Sequence, residues 1–233
     1  MEENMQHLSE ESPQTLLKSI KQRLRLFMNG AVSQSMRQKG LEYKLNMGVD
    51  LPRLKQVASE YQPSAALASL LWKEDVRECR ILATMLFPKD EFMWDLAQVW
   101  VDQMPTVEIA QIASQNLFRH LSYARSLSLF WIASDSFYRQ LCGLHVLARL
   151  LMHETPLPVE VENEILDQTL SLAMGDDMRL VGAAFTVLRS YMRIGEDKAF
   201  SLCRRCDGLL QEDSERSARL RIFLQEETSL WES

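Results

Sequence analysis

The sequence predicts an all-α fold, an α-α superhelix (solenoid) of consecutive helix pairs, and three observations carry that prediction. Glycine and proline number only 8 and 7 in 233 residues, while leucine, methionine, alanine, glutamate, glutamine and arginine abound, which is the vocabulary of helices. Apolar residues recur at helical spacing with short interruptions, and no stretch alternates as a strand would. An acidic turn followed by arginine and then by small or apolar residues recurs along the chain, and internal repetition at such a period marks a solenoid.

Taken in order, Ser12-Pro13 opens a helix expected to reach about Met28. Asp50-Leu51-Pro52 opens the next, to Tyr61, with a carboxylate placed to accept orphan N–H groups and proline in the first turn. Further helices are expected over 64–71, 75–87, 91–103, 106–118, 123–132, 136–152, 160–173, 177–194, 197–210 and 214–227. No linker exceeds a few residues, so the expectation is a single domain over 1–233, with residues 1–11 a mobile acidic tail.

The repeated unit is read from "KEDVRECRILATML", "SDSFYRQLCGLHVLARLL" and "GDDMRLVGAAFTVLRSY", which place Arg77, Arg139 and Arg179 alike. "EDSERSARLRIFL" adds Arg216, and the spacings of 62, 40 and 37 residues fit repeats of about 31 to 40 with one degenerate unit. On a helical wheel Phe137, Leu141, Leu144, Ala148 and Leu151 form one stripe, expected to meet the partner helix. The other face carries Arg139 beside Gly143, Val146 and Leu150; Arg179 aligns with Gly182, Ala183, Thr186 and Ser190. That small face, with arginine at its N-terminal end, is expected to line a concave surface. The turn aspartate followed by arginine resembles the HEAT repeat, in which the arginine pairs with a neighbouring turn aspartate.

Arginine in a first helical turn opposes the helix dipole, so another group must favour it. The candidates are a carboxylate in a neighbouring repeat or the phosphate of an anionic partner. Net charge is −6, but Lys18 to Lys55 holds nine basic residues against Glu42 and Asp50, a local charge of +7. The compensating acids lie at 2–11, at 154–177 and in the C-terminal helices.

Other classes of function find little support. No apolar run approaches the roughly 20 residues that span a bilayer and the acidic N-terminus has no signal-like core, so a cytoplasmic protein without membrane contact is expected. Cys203 and Cys206 form a lone CxxC with no nearby histidine, read as packed thiols. His7, His120, His145 and His153 have no metal-ligand spacing, and no phosphate-loop, dinucleotide, nucleophile-elbow or zincin motif occurs. No metal and no cofactor is expected.

Several stretches together resemble the DNA alkylation repair glycosylases, a family of HEAT-like proteins. "WIASDSFYRQ" is similar to the segment that leads into the family's phosphate-contacting arginine, which falls on Arg139. "YKLNMGVDLPRLKQVASEY" resembles its Gly-x-x-x-Pro helix start, "LWKEDVRECRILATML" its Leu-Trp-x-x-x-x-Arg-Glu helix, and "TVLRSY" its late Trp-Val-Leu-Arg-x-Tyr stretch. The resemblance spans about residues 25–225 and implies removal of cationic alkylated purines from DNA. Recognition would then run through sugar and backbone, with an aspartate steadying the sugar cation and tryptophans packing on the deoxyribose.

The residues for that chemistry are replaced. Where the family has Trp-Trp-Asp-x-x-Asp this chain reads "ASQNLFRH", so Asn116 takes the place of a tryptophan and His120 that of the aspartate; Thr186 replaces the later tryptophan. A neutral histidine supplies no anionic field and a protonated one repels the cation.

The sequence therefore carries three readings. The first is a DNA-binding family member, contacting duplex or branched DNA through Arg139, Lys55, Arg77 and Arg179, with base excision weak or absent. The second is a protein-binding scaffold that kept the solenoid. The third is a glycosylase with another acid, Asp135 being the candidate.

Overall fold

The computed structural model describes residues 11–41, 43–153 and 159–231. The expected acidic tail falls almost wholly outside the described residues, as do 154–158 of the acidic segment. The described residues are mostly α-helical, joined by short turns, by two 3-10 turns at 89–91 and 118–120, and by a longer segment before Leu51 in which Leu45 forms an isolated bridge with Val76. The chain divides into two compact units, Met1–Ser122 and Tyr123–Ser233.

The first unit holds α1 (Pro13–Leu26), α2 (Gly30–Gln38), α3 (Leu51–Ser59), α4 (Ala65–Lys73), α5 (Arg77–Leu86), α6 (Trp94–Asp102) and α7 (Val107–Asn116). Their starts follow the capping rules: the side chains of Ser12, Asp50, Ser64 and Thr106 each accept the backbone N–H three residues on. The sequence reading passed over α2, whose start is signalled by Asn29 accepting from the Val32 N–H; Gly30 in the first turn and a short, polar helix hide it from a search for periodicity. Buried Ile20, Leu24, Leu54, Leu67, Leu71, Ile81 and Leu82 form the core. Trp72 stacks on Trp100 with centroids 4.0 Å apart, and the edges of Phe87 and Phe92 meet Trp100 at 5.7 and 5.0 Å.

The second unit holds α8 (Ala124–Ile132), α9 (Phe137–Met152), α10 (Val159–Ala173), α11 (Met178–Met192), α12 (Glu196–Cys206) and α13 (Glu215–Thr228). α9 packs on both α8 and α11, so it is buried on two sides. Leu141, Leu144, Ala148 and Leu151 of the expected stripe are buried. The opposite face is not open, contrary to expectation: a Cβ on Gly143 would lie 2.8 Å from the Ser128 carbonyl oxygen and 2.9 Å from Ile132. The small residue there lets α8 approach α9 closely. On α11 the corresponding face differs, because a Cβ at Gly182 would meet nothing within 4 Å. The N-termini of α9 and α11 lie side by side, with the Arg179 guanidinium 4.2 Å from the centroid of the Phe137 ring. α13 continues the array in the same direction: Arg216 near its start pairs with Asp176 before α11, Phe223 stacks on Phe185 at 4.6 Å, and Glu227 near its end accepts from Arg189 and Arg193.

Candidate nucleic-acid interface

The four arginines that the repeat places alike reach different surroundings. Arg77 is 2% exposed. Its Nε and Nη2 donate to the Glu108 carboxylate at 2.9 and 2.6 Å, and its Nη1 to the Val49 carbonyl at 3.0 Å and to Glu78 Oε1 at 3.2 Å. The guanidinium is enclosed by protein acceptors, so in this structure Arg77 acts as a structural cation. The physical reason lies in α7, whose second residue supplies Glu108, and in the extended segment before α3, which supplies a carbonyl.

That segment is held from both sides. Glu78, fully buried, accepts the N–H groups of Met47 and Val49 with its two oxygens, at 3.1 and 3.3 Å. Gly48 adopts φ +70°, and a Cβ there would lie 2.3 Å from the Asn29 carbonyl oxygen, so both conformation and space require glycine. Tyr43 completes the network, its hydroxyl within 2.7 Å of both Thr106 Oγ1 and Glu108 Oε2. Burial by itself would raise the Glu108 carboxyl, yet hydrogen bonds from Arg77 and Tyr43 hold it below its ordinary range. Burial pushes the Tyr43 phenol above its own. The Gly-x-x-x-Pro and Trp-x-x-x-x-Arg-Glu stretches are thus two halves of one clamp, with Trp72 in the stacked pair.

In the second unit the same sequence pattern reaches the surface. The Arg179 side chain is 59% exposed and forms a bidentate pair with its own turn aspartate, Asp177, with Nε 3.0 Å from Oδ1. The hydrogen bonds from Arg179 hold the Asp177 carboxyl down to about 2. Arg139, half-buried in the first turn of α9, follows Phe137 and Tyr138. That turn contains no acidic residue, and the side chain of Ser136 does not cap it. The expected ladder from arginine to neighbouring turn aspartate is therefore mixed: Arg216 to Asp176 follows it, Arg179 pairs within its own turn, and Arg77 uses glutamates.

Asn116 and His120 lie in the first unit, Thr186 in the second. Asn116 Nδ2 donates to the buried Thr84 hydroxyl at 3.1 Å. His120 is exposed and its Nε2 accepts from Arg119 Nε at 3.1 Å. Thr186 turns its hydroxyl back onto the Gly182 carbonyl at 2.8 Å. None of the three offers a carboxylate or an indole ring. Phe118 is core, Tyr123 is half-buried with its phenol pushed by burial to about 12, and Asp135 is exposed.

Among the described residues, Lys18, Arg25, Arg37, Lys39, Lys44 and Lys55 make no ion pair, whereas Lys21 pairs with Glu74, Arg23 with Glu60 and Arg53 with Asp50. Most of the +7 segment is thus free positive charge on the first unit. All four cysteines are free, and among the described residues no cluster of histidine, cysteine or carboxylates could hold a metal ion. Nor is any described helix long and apolar enough to cross a membrane.

Repeated helix pairs with arginines at helix starts define a helical-repeat protein of the HEAT-like class. Comparison with known proteins agrees. A solved structure described as "a new family of proteins related to the HEAT-like repeat DNA glycosylases with affinity for branched DNA structures" matches with a TM-score of 0.73 at 14% identity, covering 91% of this chain and 94% of that one. The family model for DNA alkylation repair enzymes matches residues 20–193; the chain belongs to that family. No curated protein sequence matches it.

Proposed function

We propose that this protein binds DNA through its sugar-phosphate backbone and does not excise bases by the aspartate-assisted route of its family. The observation that carries the reading is the side-by-side placement of the α9 and α11 N-termini. Arg179 is exposed over Phe137, and Arg139 stands two residues further along α9. Cations at paired helix N-termini, with backbone N–H groups behind them, fit a row of phosphates. Lys55 and the other unpaired cations of the first unit add sequence-independent affinity. The structural relative, described as having affinity for branched DNA, supports testing branched as well as linear duplex.

Asn116, His120 and Thr186 support the absence of excision, because none can develop the anionic field that stabilises a sugar cation. Losing one preorganised group of this kind costs about 10² to 10³-fold in rate. Fluorescence anisotropy with a duplex and a four-way junction tests the binding, which should weaken steeply with salt; no salt-sensitive binding at micromolar protein overturns the reading. Incubation with methylated DNA tests the chemistry, with no release of 7-methylguanine or 3-methyladenine expected. Release that disappears in Asp135→Asn would instead establish excision with that acid.

A further inference from the structure

The turn between α1 and α2 presents three consecutive apolar residues, Leu26, Phe27 and Met28. Leu26 is 79% exposed and Met28 59%, far beyond what a surface turn needs. The turn is held from behind: the Asn29 N–H donates to the Met47 carbonyl at 2.8 Å, and Gly48 packs directly on the Asn29 carbonyl. The apolar pair is therefore displayed on a fixed support. Its surroundings are cationic. The Arg23 and Arg53 guanidiniums lie 5.8 and 5.3 Å from the Phe27 ring centroid, and Arg25 and Lys55 have no carboxylate partner among the described residues. Three arginines, Arg23, Arg25 and Arg53, thus stand at the turn against the two carboxylates of Asp50 and Glu60.

We propose that this turn is a wedge for nucleic acid, in which Leu26 and Met28 pack against bases unstacked at a branch point or strand opening, while Arg25 and Arg53 hold the flanking phosphates. The proposal rests on the DNA-binding reading above and adds a second contact on the first unit. Exposed apolar side chains ringed by guanidiniums match the two surfaces an opened base step offers, an apolar face and an anionic backbone. A purely apolar protein surface would satisfy the apolar pair but not the unpaired cations. A continuous duplex satisfies the cations but has no gap for the apolar pair.

The test compares wild type with the double variant Leu26→Ser, Met28→Ser on a four-way junction carrying 2-aminopurine at the branch point and on relaxed closed-circular duplex. Both side chains are solvent-exposed, so circular dichroism and melting should not change. Junction affinity should fall about tenfold, the 2-aminopurine signal should lose its response, and affinity for closed-circular duplex should stay within about twofold. An unchanged junction affinity, or equal losses on both DNAs, overturns the wedge while leaving the DNA-binding reading intact. Wild type that binds neither DNA overturns both. Binding to phosphatidylserine vesicles that the double variant abolishes, without any effect on junction affinity, assigns the turn to a membrane surface and also overturns the wedge.

Discussion

The two units use one sequence pattern for opposite ends. In the first, Arg77 at the start of α5 is enclosed by Glu108, Glu78 and the Val49 carbonyl; in the second, Arg179 at the start of α11 stands in solvent against Asp177 and the Phe137 ring. The difference teaches that arginine after an acidic turn fixes neither structure nor function. What decides is whether a neighbouring element supplies a buried carboxylate within reach.

The largest effect that sharpens this contrast should come from the clamp. Glu78→Ala would leave the Arg77 guanidinium with one carboxylate fewer and two buried N–H groups without acceptors, and breaking a buried pair costs about 3 to 5 kcal/mol. Chemical denaturation should show that loss, and a shift below about 1 kcal/mol would show Arg77 to be less structural than its burial says. Gly48→Ala acts on the same clamp through backbone conformation and a collision with Asn29; a loss of more than about 2 kcal/mol is expected.

The second unit should respond in binding rather than in stability. Arg139→Ala is expected to weaken DNA binding about tenfold and to lower the slope of log affinity against log salt by about one, with sequence preference unchanged. If Arg77→Gln, corrected for unfolded protein, weakened DNA binding as much as Arg139→Ala, the division of roles would break.

His145 on α9 gives a pH test of the second unit. Burial, with Arg149 adding to it, presses its imidazole down to about 4, and its Nε2 is buried with no hydrogen-bond partner among the described residues. The folded value lies below the unfolded one of about 6.5, so the unfolded state takes up the proton first. Stability should therefore be full above about pH 6.5 and fall as pH drops toward 4, by on the order of 2 kcal/mol. His145→Gln should flatten that window, and an unchanged slope would place the dependence elsewhere. The smallest effect is expected for Asp177→Asn, since exposed ion pairs contribute little: melting should barely move, while DNA affinity should rise a few-fold as Arg179 is released.

Much of the fold was legible in the sequence because helix starts are local chemistry. Ser12, Asp50, Ser64 and Thr106 announce themselves as caps, and the apolar stripes that follow are periodic. α2 escaped because it is short and polar, and the two units escaped because the chain has no long linker to separate them. The candidate interface was legible only as residue types: the repeat placed Arg77, Arg139 and Arg179 alike without showing that Arg77 is buried and Arg179 exposed, and the exposed turn at Leu26 to Met28 was read as the end of a helix.

The sequence by itself determined an all-helical repeat chain and the places where arginines recur. These are matters of composition, period and spacing, all written along one dimension. Only the tertiary structure decided which arginines reach solvent and which become core cations. Glu108 lies 31 residues from Arg77 and Asp177 only two from Arg179, and the fold alone determines that the distant carboxylate encloses its arginine while the near one leaves it exposed.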